Sequence, residues 1–540
     1  MRGNITPAVS ALGSVVIGVG VALRVVAYGG DTSLWLDEIL VARSILDLPA
    51  GPLLFDPLPL DQVAPRGFLL AARASVVAFG PNEHALRLVP FLASLAALWL
   101  FHRLAARTLA PVGATIAVVL FAIGVPFIKF AADVKQYEGD IAVALALLLT
   151  ALVLRDRPQS TNRLTAGGVF GFVAAAFSQA AVLVMAGIGG ALAVEWWARR
   201  DPGLRRVLLV TMPLWALASV LGVATGMRSM TPATQAFMKT FWAAGFMPWT
   251  SVSAAAQWTW TSLVLLFSDV TLMRYQWPAV YVVLALAGTA VLWRTSRSTA
   301  LVLTGPLIVA VAAAAAHQYP LRGRLVVWLL PGLLIAVAAA IDRLRTSASR
   351  LHPIAGHGAV AALLAVPVMA IVAAPPPYEI EHNRSMAEYL AAHRQEGDRI
   401  HVFPLSRVGL RFYGPAAGLP AGAWRTADCR DPDTRAYLRD VDRYRGSPRV
   451  WLLTNGARPF RVARATVRQY LETIGTRIDS VSLPSLTMGM IALELFDLSD
   501  PTRLAAADVE TFPAPPTPTD PPPACRSFAR ADADDAPAPR

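Results

Sequence analysis

Apolar residues in this chain come in long blocks separated by short polar connections, at roughly 9–28, 86–106, 112–130, 139–154, 164–178, 180–198, 207–225, 277–293, 299–316, 324–341 and 355–374. Most of these blocks approach or exceed about 18 residues, and at a rise of about 1.5 Å per residue such a helix matches the hydrocarbon core of a bilayer. The pattern therefore predicts about eleven transmembrane helices. The first block, Ala8 to Tyr28, is long, lacks a convincing small-x-small cleavage site and is followed by many more spans, so it reads as a first helix rather than a leader. A shorter apolar stretch at 68–80 carries Arg73 and is expected to lie along the membrane interface. Past Ala374 the pattern changes. There "RIHVFPL", "RVWLLTN" and "MIALELFDLS" read as strands, and 432–444 and 461–474 as helices. The expected fold class is a polytopic α-helical membrane protein (1–374) with a small C-terminal α/β domain (375–511) and a Pro/Ala/Asp-rich tail (512–540).

Charge gives these helices a direction. Arg103 and Arg107, Arg155 and Arg157, Arg199 to Arg206, Arg294 and Arg297, and Arg343 to Arg350 fall in alternate connections, and Arg2 agrees with them. By the positive-inside rule those connections are cytoplasmic. Residues 29–85, 129–138, about 226–276 and 317–323 then face outward together, as does the C-terminal domain. The chain is 55% hydrophobic and 16% charged, with a net charge of +12. Topology and anionic headgroups account for that excess, so nucleic-acid binding is not supported. Both cysteines, Cys429 and Cys525, fall on the oxidising side, which permits a disulfide or two separate thiols.

Candidate chemistry gathers at the outer helix ends. The stretch "SLWLDEILVARS" places Asp37 and Glu38 side by side just after the first span. Helical neighbours point about 100° apart, so one carboxylate can enter a site while the other holds the scaffold; an N-cap or a solvated face is the alternative. "KFAADVKQYEGD" brings Asp133, Lys135 and Tyr137 to a helix boundary, where capping and snorkelling are the alternatives. "HQYPLRGRLVVWLLP" sets His317 and Tyr319 before Arg322 and Arg324. Arginine outside runs against the usual bias, and a phosphate held by guanidinium forks is a candidate partner, with a plain headgroup contact as the other. Phe237, Phe241, Trp242, Phe246, Trp249, Trp258 and Trp260 crowd one outer connection and form either an interfacial belt or a groove for a lipid carrier. No Walker A loop, HExxH, CxxC or strand-borne GxGxxG occurs. "GIGG" at 187–190 lies inside an apolar helix, where small residues favour close packing. No compact metal-ligand cluster is visible, no cofactor is certain, and a divalent metal stays open.

The sequence "LWLDE", then "QVAPRGFLL", then "FGPNEHALRLVP" resembles the first outer loop and second helix of GT-C membrane glycosyltransferases of the family 39 and 83 type, which includes protein O-mannosyltransferases and aminoarabinose transferases. "DVKQY", "YPLRGR" and the "RVWLL…YLETIG…LFDLS" tail resemble further stations of bacterial family 39 members. The resemblance implies a bacterial plasma-membrane enzyme that passes a sugar from a polyprenyl-phosphate carrier to a lipid, glycan or protein acceptor at the outer face. Asp37 matches the first-loop aspartate and would be the general base; Glu38 and Arg87 match a supporting acid and arginine. Where many members carry two prolines in the first loop, this chain has Pro65 followed by Arg66. The chemistry agrees on its own terms. A phosphate leaving group needs no protonating acid, so one carboxylate base and cations on the phosphate suffice, and single-step displacement inverts the anomeric centre. A lipid-linked sugar flippase is the alternative, although its ionisable groups should sit near the bilayer midplane. A scaffold that only displays the outer domain leaves the carboxylate pair without a purpose.

Overall fold

The apolar blocks start where the sequence supplies a cap or a proline. Asn82, Ser160, Ser251 and Ser296 each accept a backbone N–H two or three residues into the helix they precede, and Asp201 does the same ahead of Pro202. These side chains satisfy N–H groups that helix geometry leaves without partners. The computed structural model describes residues 7–515 apart from 157–159, 269–276, 351, 421, 428–432, 458–459 and 486–488. Cys429 and Cys525, and with them the expected disulfide, lie outside the described residues, as does nearly all of the 512–540 tail.

Contacts divide the chain into two units: 1–30, 45–58 and 63–377 in the first; 31–44, 59–62 and 378–540 in the second. In chain order the helices up to residue 377 are α1 (Pro7–Gly29), α2 (Leu36–Asp47), α3 (Ala50–Phe55), α4 (Arg66–Phe79), α5 (Glu83–Thr108), α6 (Pro111–Ala122), α7 (Val125–Lys129), α8 (Tyr137–Asp156), α9 (Thr161–Phe177), α10 (Ala181–Arg199), α11 (Pro202–Arg228), α12 (Pro232–Phe241), α13 (Val252–Leu266), α14 (Pro278–Thr295), α15 (Arg297–Ala315), α16 (Leu330–Ala348) and α17 (Pro353–Ala373). Among the described residues nine helices are long and apolar enough to cross a membrane, and α6 with α7 makes a tenth candidate bent by 56°. The remaining expected span, α9, has 17 residues and falls just short of that length. Helix α4, at 14 residues, is about 21 Å long and too short to span. Its Arg73 donates to the carbonyls of Ile45 and Leu46.

Small residues set the helix spacing. At Gly187 of α10 the backbone of Gly305 and Pro306 in α15 occupies the space a Cβ would need, so the glycines of this stretch do serve close packing. At one end of the bundle Arg107 pairs with Asp156 at 2.7 Å, Arg155 donates to Ser298 at 2.7 Å, Ser298 donates to Glu195, and Arg199 pairs with Glu195 at 2.9 Å. The ends of α5, α8 and α10 and the start of α15 therefore meet at one level. The alternating arginine clusters require this.

The second unit holds a five-stranded sheet in the order β2-β1-β3-β5-β4, from β1 (Arg399–Val402), β2 (Arg425–Thr426), β3 (Val450–Asn455), β4 (Thr476–Ser485) and β5 (Gly489–Asp497). Strands β1, β2 and β3 run parallel, and β5 pairs antiparallel with both β3 and β4. Helices α18 (Asn383–His393), α19 (Ser406–Tyr413), α20 (Thr434–Asp442), α21 (Arg461–Ile474) and α22 (Pro501–Leu504) accompany it. Every residue of β3 is buried, as its near-continuous apolar run requires of a central strand. The edge strand β4 is mostly exposed and polar, so its sequence carries little strand signal.

Candidate functional site

In the first unit the chemistry collects where α6 breaks. Between Gly124 and Asp140 the chain runs through α7, a short 3₁₀ turn at Phe130–Ala132, and the first turn of α8. Lys129, Asp133, Lys135, Gln136, Tyr137, Glu138 and Asp140 are all buried here. Charged groups do not enter an apolar interior unpaired. Lys129 Nζ accordingly meets Asp133 Oδ2 at 2.5 Å, with both side chains almost fully buried, and lies 4.6 Å from the Phe130 ring centre. The Lys135 N–H donates to the Asp133 carbonyl at 2.7 Å, which turns the chain so that Lys135 and Tyr137 follow closely. The Tyr137 ring packs at 4.9 Å from Phe130.

Arg324 closes over this segment. Its guanidinium lies 6.0 Å from the Tyr137 ring centre and 5.7 Å from Trp242, so Lys135, Tyr137 and Arg324, far apart in sequence, share one neighbourhood. Arg322 is the residue just ahead of a 3₁₀ turn at Gly323–Leu329, with Gly323 in the left-handed region, and both arginines are half-buried. The loop is braced from behind: Leu321 N–H donates to Gly245 O at 2.8 Å, and Tyr319 OH donates to Leu325 O at 2.6 Å. His317 is exposed, hydrogen-bonded through Nε2 to Met247 O at 2.9 Å and stacked on Phe246. His317 Nε2 and the Tyr319 hydroxyl therefore both bond to backbone carbonyls. Arg87 is buried in the second turn of α5.

A pocket of about 210 Å³ opens between α4, α5, α8 and α9. Phe68, Pro90, Val143, Phe170 and Phe177 line it, and among the described residues Lys135 is the one charged residue in its wall. An apolar hollow with a single ammonium group at its edge has the character of a site for an amphiphile with an anionic head.

The second unit contains Asp37 and Glu38, in the first turn of α2. Glu38 is buried, and its Oε2 accepts the Trp35 N–H at 3.2 Å, whereas Asp37 is half-exposed. The two carboxylates point apart, as helical geometry requires. The N-terminus of α2 is completed from a distant part of the chain: Leu36 N–H donates to Glu381 Oε2 at 3.1 Å, Asn383 Nδ2 donates to Leu34 O at 3.0 Å, and Leu34 N–H donates to Tyr413 OH at 2.6 Å. Ser33 donates to Glu379 at 2.8 Å, and Arg384 pairs with Asp31 at 2.5 Å. Carboxylates at a helix N-terminus are favourable electrostatically, so the strap that carries Asp37 is held firmly.

Lys129, Glu138 and Glu381 do not stand out in the sequence as site residues, and Trp242 does so only as one of the aromatics of an interfacial belt or carrier groove. Lys129 had a signal, since a lysine four residues before an aspartate in an apolar stretch asks for that partner. Glu381 had none. Among the described residues no three His, Cys, Asp or Glu side chains gather in a group that could hold a metal ion.

No protein-family model and no curated protein matches the chain. Solved structures do. ArnT from Cupriavidus metallidurans in the apo state matches with a TM-score of 0.50 at 12% identity, over 90% of this chain and 98% of that one. The archaeal oligosaccharyltransferase AglB from Archaeoglobus fulgidus, in complex with an inhibitory peptide and a dolichol-phosphate, matches with a TM-score of 0.48 at 11% identity, over 86% of this chain and 70% of that one. The arabinofuranosyltransferase AftD from Mycobacteria gives 0.36 at 16% identity, over 90% of this chain and 41% of that one. The ArnT likeness shows the fold: this polytopic membrane protein shares its overall architecture with that structure.

Proposed function

We propose that this chain is an integral-membrane glycosyltransferase that moves a sugar from a polyprenyl-phosphate carrier to an acceptor on the extracytoplasmic side, with inversion. The observation that carries the reading is Arg324 lying over the Tyr137 and Trp242 rings, with Lys135, two residues before Tyr137, in the wall of an apolar pocket. Two cations suit a phosphate, two aromatic faces suit a sugar ring, and the pocket suits an isoprenoid chain. Arg324 and Arg322 hold the leaving phosphate, and charge growing on it strengthens that contact in the transition state. Asp37 takes the acceptor proton, and Glu38 keeps the helix start in place. Asp133, paired with Lys129, keeps the segment before Tyr137 in its turn.

The test is reconstitution in proteoliposomes with a panel of radiolabelled polyprenyl-phosphate pentoses and hexoses, with lipid, glycan and peptide acceptors supplied. Label leaving the carrier for an acceptor supports the reading. Label that crosses the bilayer still attached to its carrier overturns it and makes the protein a flippase.

A further inference from the structure

Arg24 stands in the middle of an apolar helix, is fully buried, and has no part in the reaction as described. What it touches explains its presence. Helix α6 ends at Ala122, α7 begins at Val125, and Pro126 follows. A helical residue at 126 would give its N–H to the carbonyl of Ala122; proline has none to give, so the break leaves that carbonyl without a helical donor in an apolar interior. Arg24 supplies the donor. Its Nη1 reaches Ala122 O at 3.1 Å as well as Gly20 O at 2.9 Å, and Nη2 lies 3.5 Å from Phe121 O. The two helices can come this close because residue 20 is glycine: a Cβ there would sit 2.9 Å from the Ala122 Cβ.

The same guanidinium interacts electrostatically with Glu138. Glu138 is wholly buried in the first turn of α8, and its carboxylate oxygens accept no hydrogen bond among the described residues. Arg24 thus secures the helix break by hydrogen bonds, and Glu138, at the start of α8, falls within its electrostatic reach. Between those points lie Lys129, Asp133, Lys135 and Tyr137.

We infer that Arg24 is a positioning residue that fixes the bend at Pro126 and the start of α8 together, and so sets where Lys135 and Tyr137 stand. Its role in turnover rests on the transferase reading above; the anchoring itself does not. The experiment pairs hydrogen exchange, read by mass spectrometry on the full-length protein in nanodiscs, with kinetics per folded enzyme. Arg24→Met should raise exchange across 121–138 by tenfold or more while α10 and α15 stay protected, and Arg24→Lys, which keeps the charge but not the fork, should fall between. Glu138→Gln should loosen 133–138 and leave 121–126 protected, which keeps the inference testable if Arg24→Met does not fold. In the double variant Arg24→Met/Pro126→Ala the restored N–H satisfies Ala122 but straightens the bend, so folded yield should return while kcat stays at least tenfold down.

Wild-type protection of 121–138 in both Arg24→Met and Glu138→Gln would overturn the anchoring. Full recovery of kcat in the double variant would overturn the positioning role and make Arg24 a stabiliser only. If the wild-type protein transfers no sugar, the transferase reading fails, and the exchange results alone decide whether Arg24 is the anchor.

Discussion

Asp37 and Glu38 show how adjacent residues of the same chemistry part company once a helix orients them. Glu38 is turned inward onto the Trp35 N–H, while Asp37 stays half-exposed. Replacing Asp37 with Asn keeps the shape and removes the base, so kcat should fall by about 10²–10⁴ with carrier affinity nearly unchanged. Turnover above about a tenth of the wild-type rate would take Asp37 out of that role. Glu38→Gln keeps an oxygen for Trp35 and should cost little stability, whereas Glu38→Ala should cost about 1 kcal/mol, read from thermal unfolding, because it deletes a cap. Arg324 offers a second contrast. It leans on Tyr137 and Trp242 through a planar group that lysine lacks. Arg324→Lys should therefore regain only part of the kcat and carrier affinity lost in Arg324→Ala, and full rescue by lysine would reduce the contact to a point charge.

At the scale of single elements, strand β1 carries a group that makes the C-terminal fold sensitive to acid. His401 is 1% exposed between β1 and Tyr444, whose OH lies 3.3 Å from Nδ1. Burial, with help from Arg425 and Arg443, holds its pKa down to about 4. The unfolded chain takes up this proton near pH 6.5, and the folded domain resists it until about pH 4. Stability is therefore complete above pH 6.5 and falls as pH drops toward 4, by up to about 3 kcal/mol from this one group. Hydrogen exchange in β1 and β3 should rise as pH falls through that window, after correction for intrinsic rates. His401→Leu should flatten the dependence; an equally steep profile in that variant would assign it to other groups.

For the whole molecule the outward placement proposed for the site-bearing connections is open to direct labelling. Cysteines placed at the exposed positions Gln235, Ser253 and Gln318, with Cys429 and Cys525 removed, should react with an impermeant thiol reagent in cells whose outer barrier is permeabilised. One placed at exposed Asn162, beside the arginine clusters, should react only after lysis. Labelling at Asn162 before lysis would reverse the orientation and remove the basis for an outer-face reaction.

Hydropathy alone determined the positions of the spans, the shortness of α4 and the change to an α/β domain after residue 374, because each depends only on the local run of residues and the thickness they must cross. The candidate polar segments were legible for the same reason, since ionisable side chains at the ends of apolar helices stand out. Strand β4 was not legible: an edge strand buries too little to impose an apolar pattern on its sequence. Only the tertiary structure decided which polar residues meet. Glu381 caps a helix that begins 345 residues earlier, Arg324 lies over Tyr137, and Arg24 completes a helix broken by a proline about a hundred residues away. Such pairings answer a need created in one segment with a group from another. Periodicity can register the need, but packing of the whole chain chooses the group that meets it.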